Sequence, residues 1–190
     1  MKLVALMVAV FVVSALSCGY SLAENNSRPS LQPESQPTPE PEPTKPPIPI
    51  EIARLSALQL CDRLADIKIL PTKDPTITDP IYEALISKGN SAIPCLIERI
   101  SDKRKIPDPR YSVPHWQHYA IGDTAVFILL RIIAGGDDLR WEKLMKEMLS
   151  AKYSEEWKTN GIYAYFNYVS EAKNRKVLQR WWTKWLKDNK

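Results

Sequence analysis

The chain has 190 residues, 44% of them hydrophobic and 25% charged, which suffices for one compact domain and excludes two large ones. Nine of its 16 prolines fall between Pro29 and Pro49, behind an uncharged run from Leu3 to Ala23, so the core must come from residues 51–190. Three cysteines exclude a disulfide-dense scaffold, two histidines argue against a histidine-built metal centre, and six glycines argue against glycine-rich phosphate loops. The net charge of +4 selects no class of partner.

Lys2 followed by the apolar stretch Leu3 to Leu16 is shorter than the roughly 20 residues that span a bilayer, and reads as an export signal. Two ends fit it. Ser21-Leu22-Ala23 places small residues where a signal peptidase accepts them, predicting a signal peptide over 1–23 and a mature chain from Glu24. Ala15-Leu16-Ser17-Cys18-Gly19 resembles a bacterial lipobox, which implies removal of 1–17 and lipidation of Cys18. An uncleaved anchor is a third reading. All three place the domain outside the cytoplasm, as a periplasmic or envelope lipoprotein or a secreted protein.

Residues 24–50 hold the nine prolines and only two basic residues, Arg28 and Lys45. Such a segment buries too little apolar surface to offset its ordering entropy, and alternating Pro39, Pro41 and Pro43 favour polyproline II. It is expected to be a disordered, semi-rigid tether with a reach of about 80 Å at 3.1 Å per residue. Asn25-Asn26-Ser27 fits a glycosylation sequon, relevant only in a eukaryotic secretory route.

From Glu51 onward the apolar residues recur at helical spacing. Ile52, Leu55, Leu58, Leu60, Leu64 and Ile67 predict one first helix that stops before Pro71. Asp79-Pro80 opens a second that exits at Gly89, and a third starts near Ser91 with Ile93, Leu96, Ile97 and Ile100. A fourth, apolar nearly all round, runs from Gly122-Asp123 to Gly135-Gly136 and should be the most buried. A fifth is capped by Asp137 or Asp138 and buries Trp141, Leu144, Met145, Met148 and Leu149. Glu155 and Glu156 are read as beginning a helix, Gly161 starts a tyrosine-rich sixth in the count, and a seventh spans about Lys173 to Lys187. No convincing period-two alternation founds a sheet, so the fold class is all-α.

Gly89-Asn90-Ser91-Ala92-Ile93-Pro94-Cys95-Leu96-Ile97, closing with Ile100-Ser101-Asp102, resembles the second helix of a HEAT-type repeat of the phycobilisome-lyase-like sort. Ile121-Gly122-Asp123-Thr124-Ala125, closing with Leu129 to Gly135, resembles the first helix of the next. The resemblance implies about three helix pairs stacked as a short, irregular α-solenoid over 51–190, a binding scaffold rather than a catalyst. An irregular helical bundle satisfies the same periodicity. The chain differs from the repeat by inserting Lys103 to Ala120 where a short turn belongs.

That insertion concentrates Pro107, Pro109, Pro114, Tyr111, Trp116, Tyr119 and both histidines, the composition of a functional loop. Tyr111, His115, Trp116, His118 and Tyr119 are candidate binding residues. His115 and His118, three apart, are spaced to share a metal ion with Asp108 or Asp123, which defines the alternative of a small metal-dependent enzyme or hydrolase. The simpler reading packs the aromatics onto neighbouring helices.

In the last helix Val177, Leu178, Trp181, Trp182, Trp185 and Leu186 share one half of the wheel, and Lys173, Lys176, Arg180, Lys184, Lys187 and Lys190 the other. Three readings follow: a terminal cap with a solvated outer face, a basic helix lying on an anionic membrane, or a surface for an acidic partner. Arg180, Lys184 and Lys187 are therefore candidate binding residues, with nucleic acid the least expected partner. Cys61 and Cys95 form an even pair in an exported chain, which suits a disulfide, and both also sit where a free cysteine serves as a small hydrophobe. No G-x-S-x-G, Walker, H-E-x-x-H or C-x-x-C motif occurs, and no cofactor is expected. The sequence thus points to an exported helical domain that binds a protein or other envelope macromolecule.

Overall fold

In a computed structural model, residues 45–69, 77–106 and 119–189 are described. The export signal, Cys18, most of the expected tether and the insertion residues Tyr111, His115, Trp116 and His118 lie outside them. The last residues assigned to the tether sit on the domain: Lys45 Nζ pairs with Glu83 at 2.8 Å, Ile48 packs on the core, and the first helix begins at Ile50.

The single helix expected over Ile52 to Ile67 is broken into α1 (Ile50–Ala53), α2 (Ala57–Asp62) and a 3-10 turn (Leu64–Asp66). The cause is local. The Ser56 hydroxyl accepts the Gln59 N–H at 3.2 Å while the Gln59 side chain accepts the Ser56 N–H at 2.9 Å, a capping box that restarts the helix. The restart rotates Leu58 away from the apolar face, and it is 58% exposed.

Further along, start and stop signals act where the spacing placed them. Asp79 caps α3 (Pro80–Lys88) by accepting the Ile81 N–H at 2.9 Å, and its other oxygen accepts the Lys68 N–H at 2.9 Å. Gly89, at φ 55°, turns the chain through a 3-10 segment (Gly89–Ala92) into α4 (Ile93–Arg99), with Pro94 in the first turn where no N–H is needed. Helix α5 (Ile121–Ala134) is the central element, with only Phe127, Arg131 and Ile132 outside its buried set. Its first N–H groups bond to Arg104 O and Asp102 O at 2.8 and 3.0 Å, which clamps the two ends of the insertion together. Asp137 caps α6 (Asp138–Met148) through the N–H groups of Leu139 and Arg140.

The helix read as beginning at Glu155 and Glu156 starts earlier, as α7 (Ala151–Asn160) behind Ser150, so both glutamates lie mid-helix. Gly161 alone separates it from α8 (Ile162–Ser170), in which Tyr163 is 47% exposed rather than apolar-facing. The chain finishes in α9 (Ala172–Asp188). The fold is all-α: no strand forms among the described residues, only an isolated bridge between Lys105 and Ala120.

From α4 onward consecutive helices pack as neighbours, the opening helices interleave as α1 on α3 and α2 on both α3 and α4, and α9 returns across α4 and α6 as well as α8. One apolar cluster runs from Ile52 in α1 to Trp182 in α9. A disulfide joins Cys61 in α2 to Cys95 in α4, with the Cα atoms 6.1 Å apart, so the pair cross-links the opening helices instead of serving as two free small hydrophobes.

Candidate functional site

Helix α9 has two faces of opposite chemistry. Asn174, Arg175, Leu178 and Trp182 point inward and are buried, Trp182 completely. Trp181 and Trp185 flank it edge-to-face at 4.9 and 5.6 Å, and burial of Leu178 and Trp182 contributes about 1.5–3 kcal/mol each. Asn174 Nδ2 donates to Tyr168 O at 2.9 Å, and Gln179 Nε2 donates to Ile97 O and Glu98 O at 3.0 and 3.1 Å, satisfying carbonyls at the end of α4.

The inward guanidinium fixes the register. Arg175 donates from Nη1 to Asp123 Oδ1 and from Nη2 to Asp123 Oδ2, both at 2.9 Å. The Tyr165 hydroxyl donates to Oδ1 at 2.7 Å and the Ala120 N–H to Oδ2 at 2.8 Å. Asp123 thus accepts four bonds while fully buried. Burial drives the Tyr165 phenol well above its ordinary pKa, and the adjacent Asp123 charge adds to the effect. Burial pulls the Arg175 pKa down, but the Asp123 bonds outweigh it and leave it raised. Gly122 makes the approach possible: a Cβ there would collide with the Ile100 carbonyl and stand 3.0 Å from Arg175 Nη1. Removing one member of such a pair strands a buried charge, at a cost of about 3–5 kcal/mol.

These contacts correct several expectations. Asp123, considered as a metal ligand or catalytic carboxylate, has both oxygens occupied by Arg175, Tyr165 and its own helix start. Tyr119, a candidate binding residue for which packing onto neighbouring helices is the simpler reading, follows that simpler reading: it is 6% exposed, with its ring 5.9 Å from both Phe127 and Phe166. It belongs to an aromatic cluster that continues through Trp141 to Trp157. Val177, placed on the apolar half of the wheel, is 42% exposed. Arg175 belongs to neither of the residue sets that the spacing assigned to the two halves of α9. A lone charge between Trp182 and Leu186 on the wheel is the signal that it faces inward. Among the described residues no group of three His, Cys, Asp or Glu is placed to hold a metal ion.

The outer face carries Lys173, Lys176, Arg180, Lys184 and Lys187, all exposed. At 100° per residue they occupy an arc of about 80°, opposite the buried residues, and extend about 21 Å along the axis. Lys173 pairs with Glu171 at 3.2 Å, and Glu171 is itself held by the Tyr153 hydroxyl at 2.6 Å, which lowers its pKa. Among the described residues the other four form no ion pair. On α6 and α7 three exposed lysines are matched: Lys146 with Glu142 at 2.7 Å, Lys143 with Glu147 at 3.9 Å and Lys158 with Glu155 at 2.7 Å. Like charges three and four apart on α9 cost together about 1–2 kcal/mol. No acid in the first turn of α9 offsets this at the positive end of the helix dipole.

Two shallow clefts accompany the helices. One, about 150 Å³, is lined by Lys103, Lys105, Ser170 and Arg175; the other, about 350 Å³, by Lys45, Arg131 and the Gly135-Gly136 turn. Among the described residues no helix is long and apolar enough to cross a membrane. Comparison with protein-family models, curated proteins and solved structures finds no match.

Proposed function

We propose that this chain is an exported, envelope-tethered helical scaffold that binds another macromolecule through the outer face of α9. The observation that carries the reading is the polarity of that helix. Its inner face is pinned by Arg175, Leu178, Trp182 and Gln179, while its outer face holds a row of five cations of which only Lys173 is paired, with Glu171, among the described residues. A rigid helix bearing uncompensated like charge is a surface organised for a partner of opposite charge. In the HEAT-like reading, α5/α6 and α7/α8 form two packed pairs of the stack, and α4, packed on α2 and α5, precedes them. Helix α9 then covers its inner side by packing on α4, α6 and α8, and leaves its own outer face to partners. Delivery follows the amino-terminal pattern, with lipid on Cys18 or cleavage before Glu24, and the proline-rich segment as spacer.

The test uses the full chain in cells. A photo-crosslinking side chain at Val177, exposed beside the basic row, should give a discrete adduct that disappears in K176E/R180E/K184E. No adduct in the parent, or one indifferent to the triple reversal, sinks the assignment of this face. Mass spectrometry of the mature protein should find a lipidated Cys18 or a free Glu24 at the amino terminus; an intact Met1 on a protein recovered from the cytosol sinks the export reading.

A further inference from the structure

We infer that the occupant of the α9 outer face is an extended phosphodiester polymer of the cell envelope, lying along the helix axis. The inference rests on the proposed binding role of that face and names the chemistry of the partner. The cations succeed one another at steps of three, four, four and three residues, so they advance about 4.5–6 Å each along one side of a straight rod. This is a line of charge rather than a patch. Three backbone bonds of an extended chain span about 3.3–3.6 Å, so a polymer with one phosphate per six bonds has charges about 7 Å apart, of the same order as the row.

Side-chain type is compatible with that chemistry. Four of the five cations are lysines, compact ammonium point charges on flexible stems that meet a singly charged phosphodiester oxygen without needing a bidentate fork. The row is held straight from behind by the bidentate Arg175–Asp123 contact and by the Gln179 bonds to α4, so the charges are pre-arranged before a ligand arrives.

A bilayer does not fit the same face. An interfacial helix sinks an apolar face into the headgroup boundary, but Leu178 and Trp182 are 0% exposed, and Val177 is the one large apolar side chain on α9 beyond one-third exposure. Without an apolar wedge, the interaction is electrostatic and runs through displaced counterions.

The experiment measures fluorescence anisotropy of a labelled poly(glycerol phosphate) chain titrated with the full-length mature protein at several salt concentrations. Five phosphate contacts on a flexible strand predict a log–log salt slope near −3.5, roughly a 100-fold loss of affinity between 50 and 200 mM salt. K176E/R180E/K184E should abolish binding while circular dichroism and melting confirm the fold. Parallel arms with poly-glutamate and anionic phospholipid vesicles should bind at least tenfold more weakly, and oligodeoxythymidylate, itself a phosphodiester with six backbone bonds per phosphate, should bind no more tightly than poly(glycerol phosphate). Equal or tighter binding to poly-glutamate or to the vesicles overturns the phosphodiester assignment, tighter binding to oligodeoxythymidylate overturns the envelope source, and a slope near zero or a triple variant that binds like the parent overturns both. A Val177 adduct in cells together with no poly(glycerol phosphate) binding refutes this inference and leaves the binding face standing; loss of the adduct itself refutes both.

Discussion

Helices α6 and α7 on one side and α9 on the other handle exposed charge in opposite ways. Helix α6 carries three cations and three anions, α7 two and two, and three of their four lysines find glutamates three or four residues away. Helix α9 carries six cations and one anion; Lys173 pairs with Glu171 at its start, and the other close match is turned inward, where Arg175 meets Asp123. The first arrangement is an ordinary solvated surface worth a few tenths of a kcal/mol per pair. The second separates two tasks on one element: one cation, desolvated and fully bonded, sets position, while five others remain at the surface with only one acid at each end of the row, Glu171 and Asp188. Equal charge density therefore says little about role until burial and pairing are known.

The comparison breaks most completely at its buried half. Arg175→Met should destabilise the domain by about 3–5 kcal/mol, read as a lowered denaturation midpoint, because Asp123 is left charged and sealed from water. A midpoint within 1 kcal/mol of the parent would show that the contact does not anchor α9. A covalent tie does the corresponding work for the opening helices. Replacing Cys61 and Cys95 together by alanine frees a loop of sequence separation 34 and should cost about 3–4 kcal/mol in the chain-entropy model. Equal unfolding curves with and without reductant would contradict that.

Smaller effects sharpen the contrast. Tyr165→Phe removes one hydrogen bond to the charged Asp123 and should cost about 1.5–3 kcal/mol. The sign of its pH dependence follows from a phenol pKa raised in the folded state. Its contribution is present below about pH 10 and is lost as pH rises further, so the variant should show a shallower alkaline loss of stability than the parent. An identical alkaline limb in both proteins would exclude Tyr165 as the titrating group. At the outer face, K176E/K184E should raise stability by a few tenths to about 1 kcal/mol, since like-charge neighbours become opposite ones. A clear loss of stability there would mean that the lysine stems pack more than the exposure suggests.

Much of the fold was legible because helix ends are local events. Asp79-Pro80, Gly89, Asp137 and the Gly135-Gly136 pair each act through their own side chain or their own backbone freedom, and the structure uses them where the sequence places them. The break at Ser56 was also written locally, as Ser56 and Gln59, but it was masked by apolar spacing that continues through it. The start of α7 at Ala151 was obscured for the opposite reason: its first turn is polar and small, and the acidic pair that drew attention lies mid-helix. The site divided the same way. Arg180, Lys184 and Lys187 fall on the outer face because one helix's periodicity decides it. Tyr119 does not follow composition, since a loop rich in aromatic residues says nothing about which of them the neighbouring helices will cover.

The sequence by itself determined the all-α class, most helix boundaries, the proline-rich leader and the basic outer row of the last helix. Each depends on residues within a few positions of one another along the chain. Only the tertiary structure decided that Arg175 would be matched across 52 positions by Asp123, that Cys61 would meet Cys95, and that Gly122 would open the space for both helices. The physical reason is that a buried charge is tolerated only beside its partner. Which partner that is depends on how the helices stack, and not on the spacing within any one of them.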